Sequence, residues 1–263
     1  MKVVVVLPTY KERENIIRLI PELVEQFGKK QKHKFEILVV DDESPDRTAQ
    51  AVKELAKKLP NIHLLPGKKQ GLGAAYIRAF KHAMKYFKPD VLVEMDADFS
   101  HQPQDLPMLL KEIEKGADFV IGSRYIPGGK VPKDWNFLRQ LNSRWGNRFA
   151  RYLAGIDNVR DCTSGFRAIK SKILRKIDLD KLKVRGYSFQ MNLLYKAYIN
   201  GAKVKEVPID FQERTWGHTK LGPGDILEFI WNSAKLRIEK GFFRQNKRAI
   251  RSTRKFQLQR VNK

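Results

Sequence analysis

The sequence predicts an α/β fold, a single domain with a Rossmann-like, mostly parallel sheet and helices on both faces. Five short apolar runs rich in β-branched residues read as buried strands: Val3 to Leu7, Phe35 to Val40, Ile62 to Leu65, Val91 to Met95 and Phe119 to Ile121. Between them apolar residues recur at helical spacing, so strand alternates with helix, the order of a parallel sheet. With 263 residues, 42% apolar and 10% aromatic, the chain has material for one large core and an appendage.

The first helix follows from Ile16, Ile20, Leu23, Val24 and Phe27, and the second from Ala49, Val52, Leu55, Ala56 and Leu59. Gly73, Tyr76, Ile77, Phe80, Met84 and Phe87 give the third, and Leu106, Leu109, Leu110 and Ile113 a shorter fourth. After Ile121 the regularity breaks. Residues 123 to 134 carry Pro127, Gly128, Gly129 and Pro132, a loop long enough to be functional. A helix from Trp135 to about Leu153, a strand at Phe166 to Ile169, a helix at Tyr187 to Ile199 and a strand at Val204 to Phe211 follow. A second glycine-bearing loop, Arg214 to Lys220, precedes a last helix from about Asp225 to Lys240. Residues 1–224 therefore read as the globular body and 225–263 as a basic, amphipathic C-terminal helix and tail.

A formal charge of +23 calls for an anionic partner: nucleic acid, an anionic membrane surface or a phosphorylated substrate. From Lys235 to Lys263 eleven Lys and Arg face one acid, Glu239, so the tail is a separate electrostatic object. The single cysteine, Cys162, makes no internal disulfide, and the expected compartment is the reducing cytoplasm. No apolar run approaches the roughly 18 residues that span a bilayer, and Val3 to Leu7 is too short for a signal-peptide core. The expectation is a protein that does not cross a membrane.

An open parallel sheet binds ligands at the carboxyl ends of its strands. The first strand ends in Leu7-Pro8-Thr9-Tyr10-Lys11-Glu12, without the glycines of a dinucleotide-binding turn, and Gly71-Leu72-Gly73 fails that fingerprint because Tyr76 holds its sixth position. No Gly-Lys-Ser/Thr, HExxH or Gly-x-Ser-x-Gly is present, and one cysteine excludes a multi-cysteine zinc site. The second strand ends in Asp41-Asp42 and the fourth in Asp96-Ala97-Asp98. Carboxylates at i and i+2 of an extended backbone point the same way, and their oxygens suit a hard divalent cation whose other positions go to water and phosphate. An isolated Asp-x-Asp is as readily a turn. Two acidic strand ends in one sheet favour a cation bridging a diphosphate.

At this point the residues resemble a family, the dolichol-phosphate (polyprenyl-phosphate) mannose synthases, within the inverting nucleotide-sugar glycosyltransferases of A-type fold. The carrying segments are Leu7 to Asn15, Val39 to Asp46, Gly71 to Tyr76, Met95 to His101, Gly122 to Tyr125, Thr163 to Arg167, Gly186 to Met191, and Val207 to Phe211 continuing to Arg214 and Thr219 to Leu221. The resemblance implies that Pro8, Tyr10, Glu12, Val40 and Asp42 hold the nucleoside, and that Asp96, Ala97 and Asp98 take the sugar diphosphate. Asp96 and Asp98 would be the ligands of Mg²⁺ or Mn²⁺. It further implies an acceptor-phosphate site of Arg124, Arg139 and Ser143, with Arg124 also reaching the donor, and a diphosphate clamp of Arg214 and Lys220. Asp98, Arg124, Arg139 and Ser143 form the implied catalytic set. Two departures stand out: Glu43 follows the aspartate pair in place of a small or polar residue, and Ser100 stands where some members have a metal-liganding glutamine.

The chemistry agrees independently. A lipid monophosphate has a second pKa of roughly 6, so the nucleophile is ionised at neutral pH and no general base is required. What is needed is positioning of two anions and neutralisation of the leaving diphosphate, work for a metal and arginine forks. The implied reaction is inverting transfer of mannose from GDP-mannose to a dolichyl or polyprenyl phosphate, with a UDP-glucose-dependent glucosyltransferase as the alternative. The basic tail also raises a nucleic-acid-binding protein, but no RRM, KH or zinc-finger signature accompanies it and nucleic acid is not expected as a partner. Leu227, Ile230, Trp231, Ala234 and Ile238 form one apolar face beside the basic run, which reads either as an interfacial helix or as one packed on the core. The expected location is peripheral, on the cytosolic face of a membrane, where a small membrane-anchoring subunit is a further candidate partner.

Overall fold

Strand β1 (Lys2–Thr9) runs through a seven-stranded sheet of order β3-β2-β1-β4-β6-β5-β7. The computed structural model describes residues 1–28, 33–132, 135, 137–156, 158–182, 186–213 and 231–236. The other strands are β2 (Lys34–Asp41), β3 (Ile62–Pro66), β4 (Val91–Glu94), β5 (Phe119–Ser123), β6 (Arg167–Lys170) and β7 (Val204–Pro208). Every residue of β1 pairs in parallel with β2, from Lys2 with Lys34 to Thr9 with Asp41, and Val3 to Val6 pair with Val91 to Glu94. That register brings Thr9, Asp41 and Glu94 to one edge of the sheet.

The apolar alternation of β1 decides the layers. Val4 and Val6 face a core formed with Tyr76 and Phe80 of α3 (Leu72–Tyr86), Ala150 and Ala154 of α5 (Phe137–Ala154), and Phe189 and Leu193 of α7 (Gly186–Ile199). Val3, Val5 and Leu7 face the opposite core, with Ile16, Leu19, Ile20 and Leu23 of α1 (Arg13–Gly28), Val52 of α2 (Thr48–Lys58), and Leu106, Leu109 and Ile113 of α4 (Leu106–Glu114). A strand buried on both faces has no polar side to expose, which is why the valine run is unbroken.

The mostly parallel sheet expected from the sequence is found, with one exception to its direction. β6 is antiparallel to both β4 and β5. Its start therefore lies at the carboxyl edge of its neighbours and carries Thr163 to Phe166 there. β7 ends at Pro208, short of the Phe211 expected, because residues beyond it turn to the long loop: Lys130 N–H donates to Ile209 O at 2.9 Å and Phe211 N–H to Lys130 O at 3.2 Å. A short helix α6 (Ser171–Leu174) follows β6. Of the C-terminal helix, residues 231–236 are described and helical, with Leu236 and Ser233 buried and Trp231 63% exposed. Of the expected apolar face, Trp231 is thus exposed and Ala234 half-buried, while Leu227, Ile230, Ile238 and the tail lie outside the described residues.

The loops that follow β1 and β2 are sewn together by side chains. Asp46 accepts from Arg13 N–H (3.1 Å), Thr48 N–H (3.1 Å) and the Thr48 hydroxyl (2.6 Å), tying the starts of α1 and α2 to one carboxylate. Burial alone would raise its pKa, but these donors hold it below the ordinary carboxylate value. A folded-state pKa below the unfolded one stabilises above the unfolded pKa and is lost as pH falls through the folded value. Asp46→Ala should therefore lower unfolding free energy by about 1–2 kcal/mol at pH 7. The gap to the parent protein should close on acidification below about pH 4, as denaturant titrations at the two pH values would measure.

Candidate active site

Pro8 and Val40 are register partners, as are Thr9 and Asp41, so the two strand ends form one floor. Asp41 is a hub: it accepts from the Thr9 hydroxyl (3.0 Å), Ser44 N–H (3.0 Å) and the Ser44 hydroxyl (2.6 Å). Ser44 Oγ in turn accepts Lys11 N–H at 3.0 Å. Asp42 pairs with Arg78 Nη2 of α3 at 2.5 Å, and burial still raises its carboxyl above the ordinary value against that attraction. Gly67 makes room for this arginine, because a Cβ there would collide with the guanidinium. Glu12 accepts from Asn15 Nδ2 at 2.6 Å, and its own N–H donates to Thr48 Oγ1 at 3.2 Å. The Lys69 ammonium lies 3.3 Å from the centre of the Tyr10 ring. Pro8, Tyr10, Glu12, Val40 and Asp42 are therefore all on the first two strand ends or the turns leaving them. Val40 is fully buried.

Four non-glycine residues at this edge hold positive φ: Lys11 (63°), Glu43 (53°), Arg47 (67°) and Phe99 (61°). Each such residue costs of order 1–3 kcal/mol and persists only where surrounding contacts fix it, as the Asp41, Asp46 and Asp98 hydrogen bonds do here. Glu43, the departure noted in the sequence, takes up a strained turn position and points out to solvent.

Asp96, Ala97 and Asp98 follow β4 directly. Asp98 is buried, and its Oδ1 accepts from Ser100 N–H (3.0 Å) and the Ser100 hydroxyl (2.6 Å), so Ser100 acts on the carboxylate it neighbours in sequence. The Asp96 side chain is 29% exposed. Its backbone N–H donates to His101 Nδ1 at 3.0 Å. Burial lowers the His101 pKa, and an Nδ1 that accepts a hydrogen bond carries no proton, so His101 is neutral. Its 3.8 Å approach to Asp96 Oδ2 is accordingly a contact and not an ion pair. The imidazole stacks on Phe166 at 5.1 Å. Among the described residues no group of three or more acidic, histidine or cysteine side chains could enclose a metal. Two oxygen-donor carboxylates, one pre-oriented by Ser100 and one open to solvent, fit a cation of the magnesium or manganese type that keeps positions for phosphate.

The basic side of the site is built by the loop after β5 and by α5. Arg124 is buried, and its Nε and Nη2 form a fork with Asp161 at 2.7 and 2.8 Å; Nη2 also reaches Thr163 Oγ1 at 2.9 Å. The arginine is thus held in one orientation, with its charge compensated by Asp161. Arg139 lies over the Trp135 ring at 4.2 Å and contacts Glu213 at 3.4 Å, while Glu213 accepts from Trp135 Nε1 at 2.6 Å. Ser143 Oγ and the Tyr125 hydroxyl share a 2.5 Å hydrogen bond. Arg214 and Lys220 lie outside the described residues. The loop carrying Arg124 packs so closely on itself that a Cβ on Gly129 would lie 2.6 Å from Ser123 O and 2.8 Å from the Arg124 carbonyl carbon.

Several residues that shape this edge carry no motif of their own. His101 and Asp161 stand inside or beside recognised segments, but Phe166 and Phe211, on which His101 packs, and Arg124, which Asp161 holds, are distant in sequence, and Asn147 joins Thr163 and Cys162 from α5. The outer face of α5 carries a signal in the sequence itself. Leu141, Trp145, Phe149 and Tyr152 recur at helical spacing and are all exposed, Trp145 at 60% and Tyr152 at 64%, among Arg144 and Arg148.

The sequence matches Glycosyl transferase family 2 over residues 4–178. It is 41% identical over 236 residues to the polyprenol monophosphomannose synthase of Mycolicibacterium smegmatis, covering 89% of this chain and 86% of that one. It is 40% identical over 233 residues to the undecaprenyl-phosphate mannosyltransferase of Micrococcus luteus, covering 88% and 92%. Among solved structures it resembles mannosyl-3-phosphoglycerate synthase from Rubrobacter xylanophilus, with TM-score 0.62, 17% identity and coverage of 94% and 76%. It also resembles glucosyl-3-phosphoglycerate synthase from Mycobacterium tuberculosis in complex with Mn²⁺ and UDP-glucose, with TM-score 0.61, 16% identity and coverage of 88% and 75%. At these identities the structural likeness is one of fold.

The tight loop and the exposed helix make a contrasting pair for mutation. Gly129→Ala forces backbone apart and should cost about 1–3 kcal/mol. Gly146→Ala in α5, where a Cβ meets nothing within 4 Å, should gain about 0.5–1 kcal/mol. Thermal unfolding of the two variants side by side checks both signs.

Proposed function

The chain belongs to Glycosyl transferase family 2 and is a glycosyltransferase, and on that premise we propose that it transfers mannose from GDP-mannose to a polyprenyl phosphate of the dolichyl or undecaprenyl kind, with inversion, at the cytosolic face of a membrane. The observation that carries this reading is a run of contacts from the acidic end of β4 to α5: the Asp96 N–H donates to His101, His101 packs on Phe211, Phe211 on Trp135 and Trp135 on Arg139, on a helix whose outer face is a stripe of exposed aromatics between arginines. Relatives named for polyprenol and undecaprenyl phosphate acceptors support the lipid substrate.

A phosphate oxygen of the acceptor attacks the anomeric carbon, the bond from that carbon to the diphosphate breaks, and GDP leaves. With a second pKa of roughly 6 the acceptor phosphate is already ionised, so no residue need take its proton. His101 could not do so from its buried position, with Nδ1 occupied by the Asp96 N–H. Asp96 and Asp98 would hold Mg²⁺ or Mn²⁺, which when bound neutralises charge on the diphosphate. Arg139, half exposed, stacked on Trp135 and paired with Glu213, would turn to the acceptor phosphate, and the Ser143 and Tyr125 hydroxyls would orient it. Arg214 and Lys220 would clamp the donor diphosphate. Glu12, fixed by Asn15, favours guanine, whose adjacent N1–H and N2–H suit a carboxylate where uracil offers one N–H.

No helix among the described residues is long and apolar enough to cross a membrane. Docking is assigned to the exposed face of α5 together with Trp231 and the basic tail, aromatics entering the interface and arginines meeting anionic headgroups. A small membrane-anchoring subunit would bind at this same face.

Asp98→Asn should reduce transfer at least about 100-fold without loss of the folded state, read by product formation beside circular dichroism. In a donor competition panel GDP should displace labelled sugar nucleotide better than UDP; the reverse order would point to a glucosyl donor. Trp145→Ala with Phe149→Ala should weaken sedimentation on vesicles of mixed phosphatidylcholine and phosphatidylglycerol by about tenfold or more, two aromatic contacts of roughly 1–3 kcal/mol each being removed. Transfer to a short, soluble acceptor should be unchanged in that double variant.

A further inference from the structure

Asp161 has no contact with solvent. Its Oδ2 accepts Arg124 N–H at 3.1 Å and Arg124 Nε–H at 2.7 Å, and its Oδ1 accepts Arg124 Nη2–H at 2.8 Å, Ser164 N–H at 3.1 Å and the Thr163 hydroxyl at 3.3 Å. One carboxylate therefore joins the exit of β5 to the turn that enters β6. The aspartate is itself fixed from β7, where Glu206 accepts the N–H groups of Arg160 (2.7 Å) and Asp161 (2.9 Å). Thr163 Oγ1 accepts from Arg124 Nη2 at 2.9 Å and from Asn147 Nδ2 at 3.0 Å, which carries the network onto α5 one turn from Ser143. Burial alone would raise the Asp161 pKa, yet Arg124 holds it below the ordinary value, so the pair is ionised at neutral pH.

We propose that Asp161, with Thr163, is a positioning residue for the acceptor phosphate: it fixes the plane of the Arg124 guanidinium and compensates part of its charge, so that Arg124 aligns the incoming phosphate with Tyr125 and Ser143 instead of capturing anions unselectively. The inference rests on the polyprenyl-phosphate mannosyltransferase reading above. An uncompensated arginine at this edge would serve the donor diphosphate as well as the acceptor. Held edge-on by a bidentate carboxylate, its direction is set by the turn at 161–164, which no donor group needs to touch. The aspartate acts through another residue and touches neither substrate.

The test is steady-state transfer by the full chain from GDP-mannose to a short-chain polyprenyl phosphate, with donor and acceptor KM separated, for Asp161→Asn, Thr163→Val and Arg124→Gln. Asp161→Asn should raise acceptor KM about tenfold or more and Thr163→Val about three- to fivefold, while donor KM and GDP affinity stay within about twofold of the parent. The double variant of Asp161→Asn and Arg124→Gln should be no worse toward acceptor than Arg124→Gln alone. Unchanged acceptor KM in a folded Asp161→Asn protein, or equal shifts in donor and acceptor KM, would overturn the proposal, as would multiplicative losses in the double variant. If Asp161→Asn does not fold, Thr163→Val decides, since it keeps the charge pair and removes only the hydroxyl. Absence of transfer by the unmodified protein would instead overturn the parent reading, and this inference with it.

Discussion

A guanidinium with no access to water holds the two halves of this site together. Arg167, the first residue of β6, donates to the carbonyls of Ser164 (2.7 Å), Cys162 (2.7 Å) and Gln190 (2.6 Å), and lies 3.8 Å from Glu94, the last residue of β4. The turn before β6, the aspartate-bearing strand and α7 are thereby fixed to one group. Its N–H groups go to carbonyls and not to the carboxylate, so burial outweighs attraction and the Glu94 carboxyl is pushed up to about 7. A buried ion pair of this kind adds little net stability, but removing one partner costs about 3–5 kcal/mol, because the other charge is left stranded. The pair serves arrangement more than cohesion.

Carboxylates recur in this architecture as local organisers. Asp41 gathers the turn after β2, Asp46 ties two helix starts and Asp161 gathers the turn before β6. In each case an acid collects backbone N–H and hydroxyl donors that the turns would otherwise leave unpaired. The outcome is an edge whose turns are tied by hydrogen bonds within the protein itself, which would suit a reaction that depends on placing two anions in line.

Much of this was legible in the sequence, and the reason is uniform. Periods of two and 3.6 report burial, so the valine run of β1 and the apolar stripes of α1 to α4 lie close to where the sequence predicts them. The antiparallel sense of β6 was not legible, since four residues reading Arg-Ala-Ile-Lys carry no direction. Pairings across distance were hidden for the same reason: nothing local in Arg124 announces Asp161, and nothing in His101 announces Phe166 or Phe211. Arg139 and Ser143 came from resemblance alone and do meet Trp135, Glu213 and Tyr125 at the edge. The aromatic stripe of α5 has helical spacing in the sequence, but that spacing alone does not distinguish an exposed face from a buried one, whereas the charge of the C-terminal tail is evident from composition.

One helix, α5, carries Ser143 toward the site and Trp145, Phe149 and Tyr152 away from it. An α-helix with its side chains is only about 10–12 Å across. Docked through this helix, the protein would meet its acceptor as a number per unit area and not as a concentration in solution. Diluting the lipid substrate within the bilayer would slow the reaction even at constant bulk amount, whereas adding empty bilayer would compete for the enzyme itself. The sugar nucleotide, arriving from the aqueous side, would obey ordinary volume kinetics, so a single active site would be governed by two different dimensionalities at once.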